Sequence, residues 1–232
     1  MDEYHHRLAR IALSAAADHG FALAGGYAVQ AHGVLQRPSE DIDLFTSSAR
    51  DDFADGVAKV RTAYAEHGLT VRVDVDSPQF VRLSVSDTAT GQVTKVELAA
   101  DLRSHPPVIM EIGPVVHLHD VAGGKVEALF TRAEARDFID VDALLVTGRF
   151  SRDRLLALAA SRDLGFDREV FAQMLSALDL YPDSELVAYG LTEAQVGALR
   201  SHFADWRTAL IQSRLDDDKD QSGEGLGSTS GS

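Results

Sequence analysis

The chain has 232 residues, 45% of them hydrophobic and 25% charged, so it is long enough to bury about 70% of its unfolded surface and build a real core. It has no cysteine, which excludes disulfides and thiolate metal sites. No apolar run approaches the ~18 residues of a membrane span, and Met1-Asp2-Glu3-Tyr4 lacks the basic-then-apolar pattern of a signal peptide, so a cytoplasmic protein with no membrane contact is expected.

The net charge of −14 opposes a simple nucleic-acid binder, because such binding draws on Lys and Arg that neutralise phosphates. Five acids and one base lie in the last segment, 216–232, yet the remainder is still acidic. An RNA ligand would need a local basic patch.

In chain order, the apolar spacing of Leu8, Ile11, Ala12 and Ala15 predicts a helix from about Glu3 to His19. Phe21 to Ala24 reads as a short buried strand, the segment after Gly26 as a short helix, and Asp41 to Phe45 as the next strand. A helix follows from about Ala49 to His67. Alternation then predicts strands through Val71, Val73 and Val75, through Val81, Leu83 and Val85, and from Val93 to Ala99, with turns at Ser77-Pro78 and Thr90-Gly91. Short strands are expected at Val108 to Ile112 and Val115 to Leu118. From His119 the period turns helical, through segments near 120–133, 136–147, 151–163, 167–179 and 192–213. This is an α+β organisation: an α/β domain over 1–119, a helical domain over 120–215 and an acidic Gly/Ser-rich tail over 216–232 that is expected to be disordered.

The chemistry concentrates at Asp41-Ile42-Asp43. On a strand, residues two apart share a face, and two hard oxygen ligands there suit Mg²⁺, which is commonly shared between one or two carboxylates and substrate phosphates. Upstream, Gly25-Gly26 lies between a strand and a helix, where backbone N–H groups can approach a phosphate unobstructed. Nucleotidyl transfer needs such a pairing, and a two-metal site normally adds a third carboxylate. In Val93 to Asp101, Lys95, Glu97 and Asp101 share one face, opposite Val96, Leu98 and Ala100. Glu97 is the candidate third ligand, with Asp101 in reserve. Arg37 is close enough in sequence to touch a triphosphate or to neutralise the Asp pair. Lys125 opens a helix after Gly123-Gly124 and can serve as a compact charge on phosphates, while Arg132 and Arg136 could supply bidentate contacts. Arg136 and Asp140 are one helical turn apart and can pair, and Asp140 could orient a base or Lys125.

Gly25-Gly26, Asp41-Ile-Asp43, Lys-Val-Glu97-Leu and Lys125-x-x-Ala128-x-x-x-Arg132-x-x-x-Arg136-Asp137-x-x-Asp140 together resemble the AbiEii/AbiGii nucleotidyltransferases, which include the MenT-like toxins. The resemblance covers residues 21–142. It implies a polymerase-β-like nucleotidyltransferase fold followed by a helical bundle, NTP and Mg²⁺ as cofactors, nucleotide addition to the 3′ end of tRNA, and a cognate antitoxin as partner. By the same likeness Asp41 and Asp43 map onto metal ligands, Lys125 onto the nucleotide-binding lysine and Asp140 onto the functional aspartate after it. The first family motif often reads Gly-Ser. Here Gly26 replaces the serine, whose phosphate contact is either missing or supplied by Ser39.

Two other readings fit the residues. An acidic surface suits a small cationic acceptor such as an aminoglycoside, and a basic stripe beside the Asp pair would distinguish tRNA from it. A partner-binding module without turnover is the third. The nine histidines form no H-x₃-H or similar pattern, which argues against zinc; His117 and His119 share parity on an expected strand. Phe203 and Trp206, at helical spacing, are expected in a core.

Overall fold

In a computed structural model, described here for the backbone of residues 1–224 and the side chains of residues 1–215, the chain divides into two compact units, Met1–Lys125 and the remainder from Val126. The first holds a mixed seven-stranded sheet: β1 (Ala22–Leu23), β2 (Asp41–Thr46), β3 (Thr70–Ser77), β4 (Phe80–Ser86), β5 (Val93–Ala100), β6 (Val108–Met110) and β7 (Gly113–Val115). Their order is β3-β4-β5-β2-β1-β7-β6. β2 runs parallel to β5 and β1 parallel to β7, while the other neighbouring pairs are antiparallel.

Period-two patterning sets the register. Ile42, Leu44, Leu83, Val85, Val96 and Leu98 are all completely buried, and they pack in one core with Leu8 and Ala12 of α1 (Glu3–Ala15) and Phe53, Val60 and Tyr64 of α3 (Arg50–Glu66). Asp2 caps α1 by accepting the His5 N–H at 2.8 Å, the short polar side chain satisfying a donor the first turn leaves open. Two phenols lock the layers: Tyr64 donates to the Leu8 carbonyl at 3.1 Å and Tyr4 to the Val85 carbonyl at 3.2 Å. Helix α2 (Gly25–Ala31) follows β1 directly.

Several expected elements end elsewhere. The strand expected over Val115 to Leu118 ends at Val115, and α4 (Leu118–Thr131) begins at once. His117 and His119 therefore lie at a strand-to-helix junction and do not share a strand face. The expected domain seam near residue 119 falls inside α4.

The second unit comprises the end of α4 and α5 (Ala135–Val146), α6 (Arg152–Arg162), α7 (Arg168–Met174), α8 (Asp183–Ala188) and α9 (Glu193–Glu224). Its core is a chain of rings: Phe138 meets Phe203 edge-on at 5.1 Å, Phe203 stacks on Trp206 at 6.0 Å, and Trp206 meets Phe171 at 5.3 Å. The long helix expected over 167–179 is divided, with a 3₁₀ stretch over Leu175–Leu180. The six-residue α8 follows Pro182 and is too short to leave a periodic signal. Helix α9 continues to Glu224, so residues 216–224 of the segment expected to be disordered have helical backbone; residues 225–232 lie outside the described residues. Among the described residues, no helix is long and apolar enough to cross a membrane.

Between α4 and α5 the backbone turns through Ala133 at φ 50°, a left-handed conformation unusual for a residue with a Cβ. Arg132 clamps this turn by donating from Nε and Nη2 to the two oxygens of Asp137, each at 2.9 Å, and the buried Asp137 also accepts the Glu134 N–H at 3.2 Å. Tyr181 donates to the Ala133 carbonyl at 2.9 Å. The substitution Asp137→Ala removes a charged fork and half of a capping box, and is expected to destabilise the helical unit by about 2–3 kcal/mol, measured as a lower midpoint in urea denaturation of the full chain.

Candidate active site

Strand β2 presents Asp41 and Asp43 on one face, with Ile42 and Leu44 buried on the other. The parallel pairing with β5 sets Asp41 opposite Lys95 and Asp43 opposite Glu97. Neighbouring strands are about 4.8 Å apart and successive same-face residues about 6.6 Å apart, so the three carboxylates occupy one small patch. Asp101 follows the end of β5, with its N–H donating to the Thr46 carbonyl at 2.8 Å. At four residues from Glu97, it lies about 13 Å further along the strand direction. Glu97, the strand partner of Asp43, is therefore the better-placed third carboxylate.

The glycine pair closes the other side. Gly25 adopts φ +56°, and a Cβ added there would sit 1.7 Å from Asp43 Oδ2. The Asp43 carboxylate thus rests against the first residue of α2 in space that only glycine leaves open. A Cβ on Gly26 would come within 2.8 Å of Ser39 Oγ and 3.1 Å of Arg37 Nη2. Gly25, Gly26, Arg37, Ser39, Asp41, Asp43 and Glu97 are therefore gathered around one strand-to-helix corner.

Basic groups border this face. Arg82 Nε donates to Glu97 Oε1 at 2.8 Å, and Lys95 Nζ lies 3.9 Å from Asp41 Oδ1. The side chains of Glu97 and Asp41 are only 20% and 19% exposed, whereas those of Arg82 and Lys95 reach solvent. Cross-strand register continues the row outward from Asp41 through Lys95 and Ser84 to Arg72. Arg72 Nη2 donates to Ser84 Oγ at 3.1 Å and is also 3.1 Å from Asp74.

A directed hydrogen-bond chain holds the loop that carries Arg37 and Ser39. Tyr27 donates to the Ser39 carbonyl at 2.9 Å and pairs closely with His5 Nδ1, while His5 Nε2 is 2.8 Å from Thr94 Oγ1. With Tyr27 donating onward, His5 Nδ1 carries its proton and Nε2 accepts from Thr94. Burial dominates His5 and lowers its pKa, outweighing the nearby Asp2 and Asp41 carboxylates. It also pushes the Tyr27 phenol up. Gln30 completes the loop by donating to the Arg37 carbonyl at 2.7 Å. Sequence reasoning missed His5 and Tyr27, since a histidine on the first helix and a tyrosine after two glycines are ordinary until the fold brings them together.

The later motif is distributed differently. Lys125 is buried on α4 and Asp140 is completely buried on α5. Arg132 donates its fork to Asp137, and Arg136 Nε lies 2.8 Å from Glu134. Unexposed Lys and Asp are rare without a fixed role.

The profile described as "Nucleotidyl transferase AbiEii toxin, Type IV TA system" matches residues 7–220. No curated protein sequence matches the chain. Among solved structures, a Helicobacter pylori protein assigned as a nucleotidyltransferase is similar at a TM-score of 0.59 and 18% identity, over 92% of this chain and 97% of that one. JHP933 from Helicobacter pylori is similar at a TM-score of 0.58 and 16% identity, over 97% and 99%. MenT4, a nucleotidyltransferase toxin from Mycobacterium tuberculosis H37Rv, is similar at 0.53 and 17%, over 88% and 83%. At these identities the likeness establishes the fold alone: a mixed sheet with helices.

Two outcomes are expected. Gly25→Ala forces the Asp43 carboxylate away and strains the backbone, so nucleotide transfer should fall more than about a hundredfold while circular dichroism stays native. His5 has a folded pKa below its unfolded value of about 6.5, so its contribution to stability is complete above that value and is lost as pH falls below it. His5→Gln should flatten that decline in thermal melts recorded across the acid range.

Proposed function

Because the chain belongs to the AbiEii family of nucleotidyltransferase toxins from type IV toxin–antitoxin systems, we propose that it moves a nucleoside monophosphate from an NTP onto the 3′ end of tRNA. The carrying observation is the patch of Asp41, Asp43 and Glu97 packed against Gly25. Its all-oxygen donor set fits Mg²⁺. Bound there, the ion would offset charge developing on the phosphate oxygens as the bond to pyrophosphate breaks. One carboxylate of the patch takes the proton of the attacking hydroxyl. Gly25 and Gly26 leave room for phosphate against the backbone at the start of α2, Ser39 supplies the hydroxyl that the family motif places next to its glycine, and Arg37 adds charge.

By family likeness, Lys125 binds the nucleotide and Asp140 serves as the functional aspartate that follows it. Arg132, which also holds Asp137, and Arg136, beside Glu134, add the bidentate cations for the nucleotide phosphates. A cognate antitoxin is the expected protein partner, and the cytoplasm, where NTP and tRNA meet, is the expected compartment.

Arg72 and Lys95 in the row that begins at Asp41, and Arg82 beside Glu97, are the cations near the carboxylates that an RNA acceptor can use. A polyanion gains from those charges through counterion release. The protein is to be incubated with each labelled NTP, Mg²⁺ and either tRNA or an aminoglycoside. Label should enter tRNA alone, at its 3′ end, and Asp43→Ala should lose more than about a hundredfold of the rate. Equal labelling by Asp43→Ala would reject the site, and labelled drug would reject the acceptor. Charge removal by Arg72→Ala and Lys95→Ala together should lower the salt slope of tRNA binding by about one per charge.

A further inference from the structure

Away from the carboxylate patch, three imidazoles of the first unit converge. His105 lies between β5 and β6, His117 follows β7, and His119 is in the first turn of α4. One ring nitrogen from each lies within 4.8 Å of the others. The His105 and His117 rings stack with centroids 4.4 Å apart, and His119 stands edge-on to both, at 5.2 and 5.0 Å. The buried Asp120 carboxylate lies behind them. It accepts the Ser104 N–H at 3.1 Å and the His105 N–H at 3.0 Å, and approaches His105 Nδ1 to 3.3 Å.

We propose that His105, His117 and His119 form a binding site for a borderline transition metal of the Zn²⁺ class, with a fourth position left for water. Imidazole nitrogens suit Zn²⁺ and its first-row neighbours, whereas Mg²⁺ prefers the oxygens of Asp41, Asp43 and Glu97. The two sites therefore select different ions. Three histidines and an open position form a recognised zinc geometry, and a carboxylate on the far nitrogen of a ligating imidazole is the usual orienting partner. Asp120 plays that part by fixing the Nδ1 proton of His105, which leaves Nε2 to the metal. A tetrahedral ion with bonds of about 2.0–2.1 Å holds its ligands about 3.4 Å apart, so ring rotations that close the triad by about an ångström suffice. The bound ion would staple the segment after β5 to the start of α4.

The test uses the full chain with Asp43→Ala, so that the carboxylate patch does not compete, stripped with chelator and titrated with Co²⁺. Expected is one ion per chain, with the visible d–d absorption of a nitrogen-rich tetrahedral site, displaced by Zn²⁺ and accompanied by a rise in melting temperature. His105→Gln and His117→Gln should each abolish the band, and Asp120→Asn should weaken binding about 10–100-fold. Absence of the band, or its persistence in both histidine variants, overturns the proposal. If either variant fails to fold, proton competition decides: the parent protein should release the ion between about pH 7.5 and 5.5 with its circular dichroism unchanged, and retention at the lower pH overturns the site.

Discussion

The contact on which the rest depends is the Asp43 carboxylate lying against Gly25. A Cβ on Gly25 would fall 1.7 Å from Asp43 Oδ2, so β2 and α2 meet at a distance only a bare backbone allows. That approach places the helix start, the Arg37–Ser39 loop and the carboxylate face at one corner. The parallel pairing of β2 with β5 then adds Glu97 beside Asp43. Beneath them, Ile42, Leu44, Val96 and Leu98 are fully buried. A slip of one residue in either strand would bury carboxylates and expose leucines, so the hydrophobic core enforces the spacing of the polar patch above it.

Much of this corner was legible because its information is local. Asp41 and Asp43 share a face by strand period alone, and Glu97 stood out as an acid on a strand whose other face is apolar. Which strand neighbours which was not legible. The order β5-β2-β1-β7 brings together residues far apart in the chain, and long-range pairing leaves no periodic trace. For the same reason His5 and Thr94 gave no hint that they brace Tyr27. The histidine triad shows the limit most clearly. Spacing rules look for ligands within one helix or loop, but His105 reaches the pair at 117 and 119 only because β6 and β7 fold back between them. Short or irregular helices were missed for a physical reason too. The helix Asp183–Ala188 has fewer than two turns, and its position is fixed by Arg200, which donates to Asp183 and to the Leu178 and Tyr181 carbonyls, a tertiary tie that no propensity encodes.

Net charge and local charge also separate. The sum of −14 describes the whole chain, while the face beside the carboxylates carries Arg72, Arg82 and Lys95. Three carboxylates held a strand spacing apart repel one another, and Arg82 and Lys95 are the counter-charges the sheet itself supplies. The Arg82–Glu97 contact is a short hydrogen-bonded pair, but Lys95 stands 3.9 Å from Asp41 with its side chain more than half exposed. An exposed pair of that kind contributes at most about 1 kcal/mol. The Lys95–Asp41 contact is therefore the weaker of the two pairs. Glu97 is held more firmly, by the 2.8 Å hydrogen bond from Arg82. The same side chains that offset repulsion in the folded chain also reach solvent, so a chain of net negative charge still presents cations beside its carboxylates.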